Sequence, residues 1–246
     1  MEKKYELTDE CKVVGGTKLF RIRALRSIER VGVKAGDLGG WIEKEENLSH
    51  NGDAWVGGDA VVCGNALVYG EAQVYGTARV RGNAEVCDNA EVYGNARVYG
   101  NARVYGNAKV YGDAKVSSNA WVYGNANVCG NARVNGNAQV CGNAWVCDDA
   151  AVFGNARVCD DAEVRGDAQV CGNADYLCFK NTWSSGRRFT YTRSNKMWKV
   201  GCFYGTGKEL IAKAYKDGEL SGRCYEATVR YVEALENAGK PLDNKD

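Results

Sequence analysis

One histidine, one proline and no apolar run of eighteen residues are the conspicuous scarcities of this 246-residue chain. Zinc sites draw on clustered thiolates and imidazoles, so a lone histidine without any C-x-x-C pair argues against one. The same scarcity leaves little for catalysis by a group that titrates near neutrality. Without a long apolar stretch there is no candidate membrane span. No apolar signal segment follows Met1-Glu2-Lys3-Lys4, so the expectation is a soluble, cytoplasmic protein. The net charge of +1 exerts no long-range pull on nucleic acid or a membrane surface. Scarce proline beside 31 glycines suits a solenoid with small modules at its ends.

What fills the middle is one hexad. From Ala54 to Asn173 the unit A-x-V-x-G-[ND] repeats without insertion, with alanine every sixth residue to Ala174 and valine every sixth from Val56 to Val170. Alanine and valine, two apart, point the same way on an extended chain. Each unit is therefore a short strand with an apolar inner face, ended by Gly-Asn or Gly-Asp at a sharp corner. A helical period of 3.6 cannot keep valine at a strict period of six. Three such strands close a coil of eighteen residues. At that spacing one corner reads Asn65, Asn83, Asn101, Asn119, Asn137, Asn155 and Asn173, whereas the other two corners mix residue types. Stacked asparagines can bond from coil to coil as ladders. Coils spaced by about 4.8 Å give a rod.

The string V-x-G-N-A-x resembles the hexapeptide repeat of left-handed parallel β-helices, and that resemblance implies the handedness. The fold expected is mainly β: a single-stranded left-handed parallel β-helix, with an N-terminal β cap and a small C-terminal ββαα domain. The boundaries read as a capping module over 1–53, the solenoid over 54–174, the C-terminal domain over 175–240 and a flexible tail over 241–246.

In the first segment Leu19 to Ile28 alternates as a strand, with Phe20, Ile22 and Ala24 on one side. Ile42 and Leu48 fall in the alanine register, and with Trp41 they are expected to close the end of the solenoid. The residues Val33-Lys34-Ala35-Gly36, Gly39-Gly40-Trp41, Asn47-Leu48-Ser49, Gly52-Asp53 and Trp55, leading into the hexads, are similar to the YdcK-like hexapeptide-repeat proteins of enterobacteria and prophages. Members of that group are often described as acyltransferases. In the tail, Arg188–Arg193 and Lys196–Phe203 read as a hairpin turning at Ser194-Asn195, with Phe189 and Tyr191 facing Trp198, Val200 and Cys202. Helices follow over about 208–216 and 221–237, the second with Tyr225, Val229, Val232 and Leu235 on one face. The stretches Trp183–Arg187 and Gly201–Thr206 resemble a C-terminal module of phage and prophage proteins.

Candidate sites follow from the columns and the ends. Arg79, Arg97, Lys115 and Arg133 should stack coil on coil, with Arg81 nearby; the ladder is either solvated or matched by an anionic partner. Tyr75, Tyr93 and Tyr111 should stack on another face and run on into Cys129 and Cys147. That column suggests a homo-oligomer seam or plain cross-strand stacking. Seven cysteines share the outward slot after valine with tyrosines, and read as free thiols covering a surface. Gly201–Lys208 hints at a phosphate loop, but the spacing is one residue too long and Glu209 replaces the Ser or Thr that holds magnesium. A strand-to-helix turn capped by Thr206 fits better. His50, at the valine slot of an irregular unit, is the catalytic candidate if the chain is a CoA-dependent acyltransferase.

The function expected is a non-enzymatic scaffold, phage- or prophage-associated, that binds a protein partner through Trp183, Arg187, Arg188, Arg193 and Lys199. No cofactor, metal or membrane is expected. The alternatives are the acyltransferase and a binder of nucleic acid or another anion.

Overall fold

The computed structural model describes residues 3–238. Its contacts divide the chain into two compact units, Met1–Asp175 and Tyr176–Asp246. The segment expected as a flexible tail, 241–246, lies outside the described residues.

Alternation of alanine and valine with polar residues makes the first unit a parallel β-solenoid. Twenty two-residue strands, β4 to β23, run from Trp55–Val56 to Gln169–Val170 at six-residue intervals. Each interior strand pairs in parallel with strands eighteen residues away, as Arg97 does with Lys115 and Val98 with Val116. The strands therefore sort into three sheets, and the eighteen-residue coil read from the asparagine corner is the observed one. The hexad alanines from Ala54 to Ala168 and the valines from Val56 to Val170 are fully buried, so a column of each lines every face. The corners need a left-handed backbone. Gly136 sits at φ 69°, and a Cβ there would meet the amide nitrogen of Gly154 at 2.9 Å. Where aspartate replaces glycine it takes the same conformation, as at Asp88 and Asp148. Their carboxylates accept the amide hydrogens of Gly106 and Gly166 on the next coil.

Backbone bonding gives the solenoid a direction. The N–H of Arg97 donates to Ala114, that of Tyr99 to Val116 and that of Asn101 to Ser118, always seventeen residues onward. Carbonyls are thus offered at the N-terminal end and N–H groups at the other, and both ends need partners. At the first end, β1 (Tyr5–Val14) and β2 (Thr17–Ala24) form a hairpin, and β3 (Leu38–Ile42) joins β2 to strand Val61–Val62. The amides of Trp41, Glu43 and Ser49 donate to the carbonyls of Ala60, Val62 and Val68. The fully buried Lys4 donates from Nζ to the carbonyls of Ala54 at 2.7 Å and Gly52 at 3.3 Å. At the other end the Asp175 carboxylate accepts the N–H groups of Cys171 and Gly172. An ammonium meets carbonyls and a carboxylate meets amides, each matched to the groups left over.

Three details of the cap differ from the sequence reading. Ile42 pairs with Val62 and Leu48 with Val68, twenty residues apart, so both fill valine columns and not alanine columns. Two extra residues are taken up after Leu48, and His50 lies in that widened corner outside any valine slot. On β2, Leu19 is buried where Phe20 was expected, because the register to β3 shifts between Arg21 and Arg23. Gly39 and Gly40 admit only hydrogen: a Cβ on Gly39 would come within 2.5 Å of Ile22, and one on Gly40 within 2.8 Å of the Ala60 carbonyl oxygen.

The second unit is an antiparallel meander, β24 (Tyr176–Lys180), β25 (Arg188–Thr192), β26 (Met197–Val200) and β27 (Phe203–Thr206), followed by α1 (Gly207–Asp217) and α2 (Glu219–Ala238). The expected hairpin forms its middle, with Phe189 opposite Val200 and Tyr191 opposite Trp198; β24 and β27 add one strand on either side. Cys202 is exposed in the turn before β27, not on the core face expected of it. Thr206 caps α1: its hydroxyl accepts from Glu209 N–H while the Glu209 carboxylate accepts Thr206 N–H. Tyr225, Val229 and Val232 of α2 are buried, but Leu235 is 43% exposed. The core stripe reaches Glu236 instead, whose carboxylate takes the Tyr191 hydroxyl at 2.7 Å.

Candidate functional site

The outer faces of the solenoid treat charge differently. On two faces opposite charges meet across adjacent coils, Glu85 with Arg103 at 3.0 Å and Glu91 with Lys109 at 2.9 Å. On the third, Arg79, Arg97, Lys115 and Arg133 stand directly in register. Among the described residues none of these four has a carboxylate within ion-pair distance. Beside them a shallow depression of about 310 Å³ is lined by Arg97, Lys115 and Arg133 together with Asp113 and Asp149 of the neighbouring corner. That corner column was not weighed with the cations in the sequence, yet its carboxylates temper the local field. Arg81 turns away and stacks over Tyr99.

The tyrosine column is a true stack. Tyr75 and Tyr93 have ring centroids 4.9 Å apart, Tyr93 and Tyr111 5.0 Å, and their planes are parallel within 3°. Strand spacing matches the separation preferred by aromatic rings, so the facing sides of these rings are spent on one another. Burial raises the Tyr75 phenol above its usual range, helped by Glu91, which accepts its hydroxyl. The column continues into the buried Cys129 and Cys147. A hydrogen bond to Cys129, together with burial, pushes the Cys147 thiol up. A second stack, Tyr105 on Tyr123 at 5.0 Å, repeats the device on another face.

Asparagine ladders run down two corners. Asn65, Asn83, Asn101, Asn119, Asn137 and Asn155 are linked in sequence, each amide donating to the next carbonyl oxygen at 2.9–3.2 Å. Asn173 leaves that ladder: it starts the turn that ends the solenoid, and its side-chain oxygen accepts the Arg157 N–H. The second ladder joins Asn89, Asn107, Asn125 and Asn143 and ends on Asp161.

His50 is held in the cap. Its ring stacks on Tyr5 at 4.4 Å, Nδ1 accepts the Lys4 N–H, and Nε2 lies 3.8 Å from the Glu45 carboxylate. With Nδ1 accepting, the neutral ring carries its proton on Nε2, a buried atom without a hydrogen-bond partner. Beside it stands Lys4, which the sequence did not single out: burial, reinforced by Arg26, lowers its pKa to about 8.

The second unit holds an apolar cleft of about 460 Å³ lined by Phe179, Asn181, Trp183, Cys224, Ala227, Thr228 and Tyr231. Trp183 is 86% exposed and Tyr231 61%. The tryptophan is presented by a pinned turn. Asn181 Oδ1 accepts the Trp183 N–H, Asn181 Nδ2 donates to Ser184, and Ser185 bonds the Tyr225 hydroxyl. The cations expected to share this site, Arg187, Arg188, Arg193 and Lys199, do not line it; Lys199 Nζ bonds the carbonyl of Gly201. The cleft left a trace in the sequence. Cys224, Ala227, Thr228 and Tyr231 form a second stripe on α2, one residue out of phase with the buried one.

Among the described residues no helix is long and apolar enough to cross a membrane, and no cluster of three His, Cys, Asp or Glu side chains suits a metal ion. Fold and surfaces define a parallel β-solenoid repeat protein with an α+β module after the repeats. Residues 90–106, 96–112 and 126–142 match the model of the YdcK beta solenoid repeat, and with the solenoid around them they make the chain a YdcK-like repeat protein. No curated protein matches it.

Proposed function

We propose that this protein is a non-enzymatic scaffold in which a rigid solenoid carries a module that binds a protein partner. The observation that carries the proposal is the 86% exposed Trp183 at the mouth of an apolar cleft. Leaving an indole in water is unfavourable, and here the turn is bonded so as to keep it there. Tryptophan and tyrosine around an apolar pocket are the residues that dominate binding energy at protein interfaces. The resemblance of Trp183–Arg187 and Gly201–Thr206 to phage modules supports a phage or prophage setting. Acyl transfer has less support: His50 is engaged with Tyr5, Lys4 and Glu45 in the cap.

The reading is tested by capture from host lysate with wild type, Trp183→Ala and Arg97→Glu. A protein retained by wild type and by Arg97→Glu but lost with Trp183→Ala supports it. The depression beside Arg97, Lys115 and Arg133 supports a second reading, an anionic ligand. That reading predicts the reverse pattern, with retention falling steeply as salt is raised.

A further inference from the structure

The tyrosine stack stops one coil short of the cap. Its column reads Gly57, Tyr75, Tyr93, Tyr111, so the face of Tyr75 that turns away from Tyr93 has no ring above it. Around that gap lies a cavity of about 470 Å³, with Tyr75, Trp55, Val31, Val33 and Leu38 in its wall and Asp37 as its carboxylate. Leu38 is 52% exposed there. Nothing in the backbone demands glycine at 57. The residue lies outside the left-handed region, and a Cβ would make ordinary contacts, 3.5 Å to Trp55 and 3.8 Å to Tyr75. At the next three positions of this column the chain supplies its own ring; here it has glycine, flanked by valine, leucine and indole side chains and by the Asp37 carboxylate.

We propose that this cavity binds a small aromatic amine. The ligand's ring takes the place of the missing side chain and continues the stack, whose own spacing is 4.9–5.0 Å. Its ammonium group pairs with Asp37. One carboxylate oxygen of Asp37 accepts the Lys34 N–H at 2.8 Å, and the other is free for a cation. The Asp37 carboxylate selects against anionic rings and against nucleotides. The site is separate from the Trp183 cleft and stands without the scaffold reading.

Tyramine is the probe, titrated against the full chain while its ring protons are followed by NMR. Wild type is expected to move them upfield in a saturable way, as stacking on a tyrosine requires. Gly57→Tyr fills the gap with the chain's own ring, so the shift should vanish while the thermal midpoint stays at or above that of wild type. Tyr75→Leu removes the platform and should abolish the shift as well, which keeps the test open if Gly57→Tyr does not fold. Asp37→Asn should weaken tyramine about tenfold yet leave any shift of p-cresol, which lacks the amine, unchanged. The proposal is overturned if wild type gives no saturable shift or if Gly57→Tyr binds undiminished. It is equally overturned if the shift is lost in Trp183→Ala and kept in Gly57→Tyr.

Discussion

At the scale of the residue, the corner ladders turn on one chemical difference. An asparagine amide both donates and accepts, so it can pass a hydrogen bond from coil to coil; an aspartate carboxylate only accepts, so it ends a chain. The structure follows this rule: one ladder stops on Asp161; Asn95 accepts the Thr77 hydroxyl and passes the chain on to Asp113, where it stops; and Asn131, after Asp113, pairs only onward with Asp149. Asn101→Asp should therefore cut the longest ladder at its centre and cost about 0.5–1.5 kcal/mol in denaturant unfolding. Asn101→Ser, which keeps a donor, should cost less. Lys4 gives a prediction in pH. Its folded pKa of about 8 lies below the unfolded value of 10.5, so between them the unfolded chain holds more protons and stability rises with pH. Wild type should gain on Lys4→Met between pH 8 and 10 by at most about 1.4 kcal/mol per unit. The tyrosine and cysteine titrations are common to both proteins and drop out of the difference. Parallel stability curves would show that the buried amine is not strained. The Asn ladder was legible because its residues recur at eighteen; Lys4 was not, since nothing local marks a lysine that folds back onto carbonyls fifty residues away.

At the scale of the element, each two-residue strand is too short to stand alone and relies on its corner and its column. Gly136→Ala puts a side chain on a left-handed backbone and against the amide of Gly154, and should lower stability by about 1–2 kcal/mol or more. Val110→Ala removes two buried methyl groups from a filled column and should cost about 2 kcal/mol. Strand identity was readable from a period of six, because one period serves strand, corner and core alike. The flanks had no such redundancy. The cap's valine register depends on two residues absorbed near His50, and β24 depends on pairing with β25, neither of which alternation reveals. In α2 the buried stripe was legible as far as Val232. Beyond it, the Tyr191 hydroxyl drew Glu236 into line and left Leu235 outside.

At the scale of the whole molecule, the hexad solves architecture and leaves chemistry to the exceptions. The fold was legible almost throughout, whereas the cleft at Trp183 and the gap at Gly57 lie where the pattern breaks or ends. The hexad is the unit of the core and the coil of eighteen residues the unit of the columns: remove a whole coil and every face is kept; remove half a hexad and every later alanine and valine falls out of step. Thermal unfolding of two deletions, residues 97–114 and residues 97–99, tests this most directly. The first rejoins Ala96 to Lys115 with each face preserved, and should unfold in one cooperative transition slightly below wild type. The second rejoins Ala96 to Gly100, which sets Ala90 against Tyr111 and Val92 against Asp113 on the next coil, and should be clearly less stable despite losing fewer residues. Equal stability of the two would contradict the strict hexad register on which the three-sided coil rests.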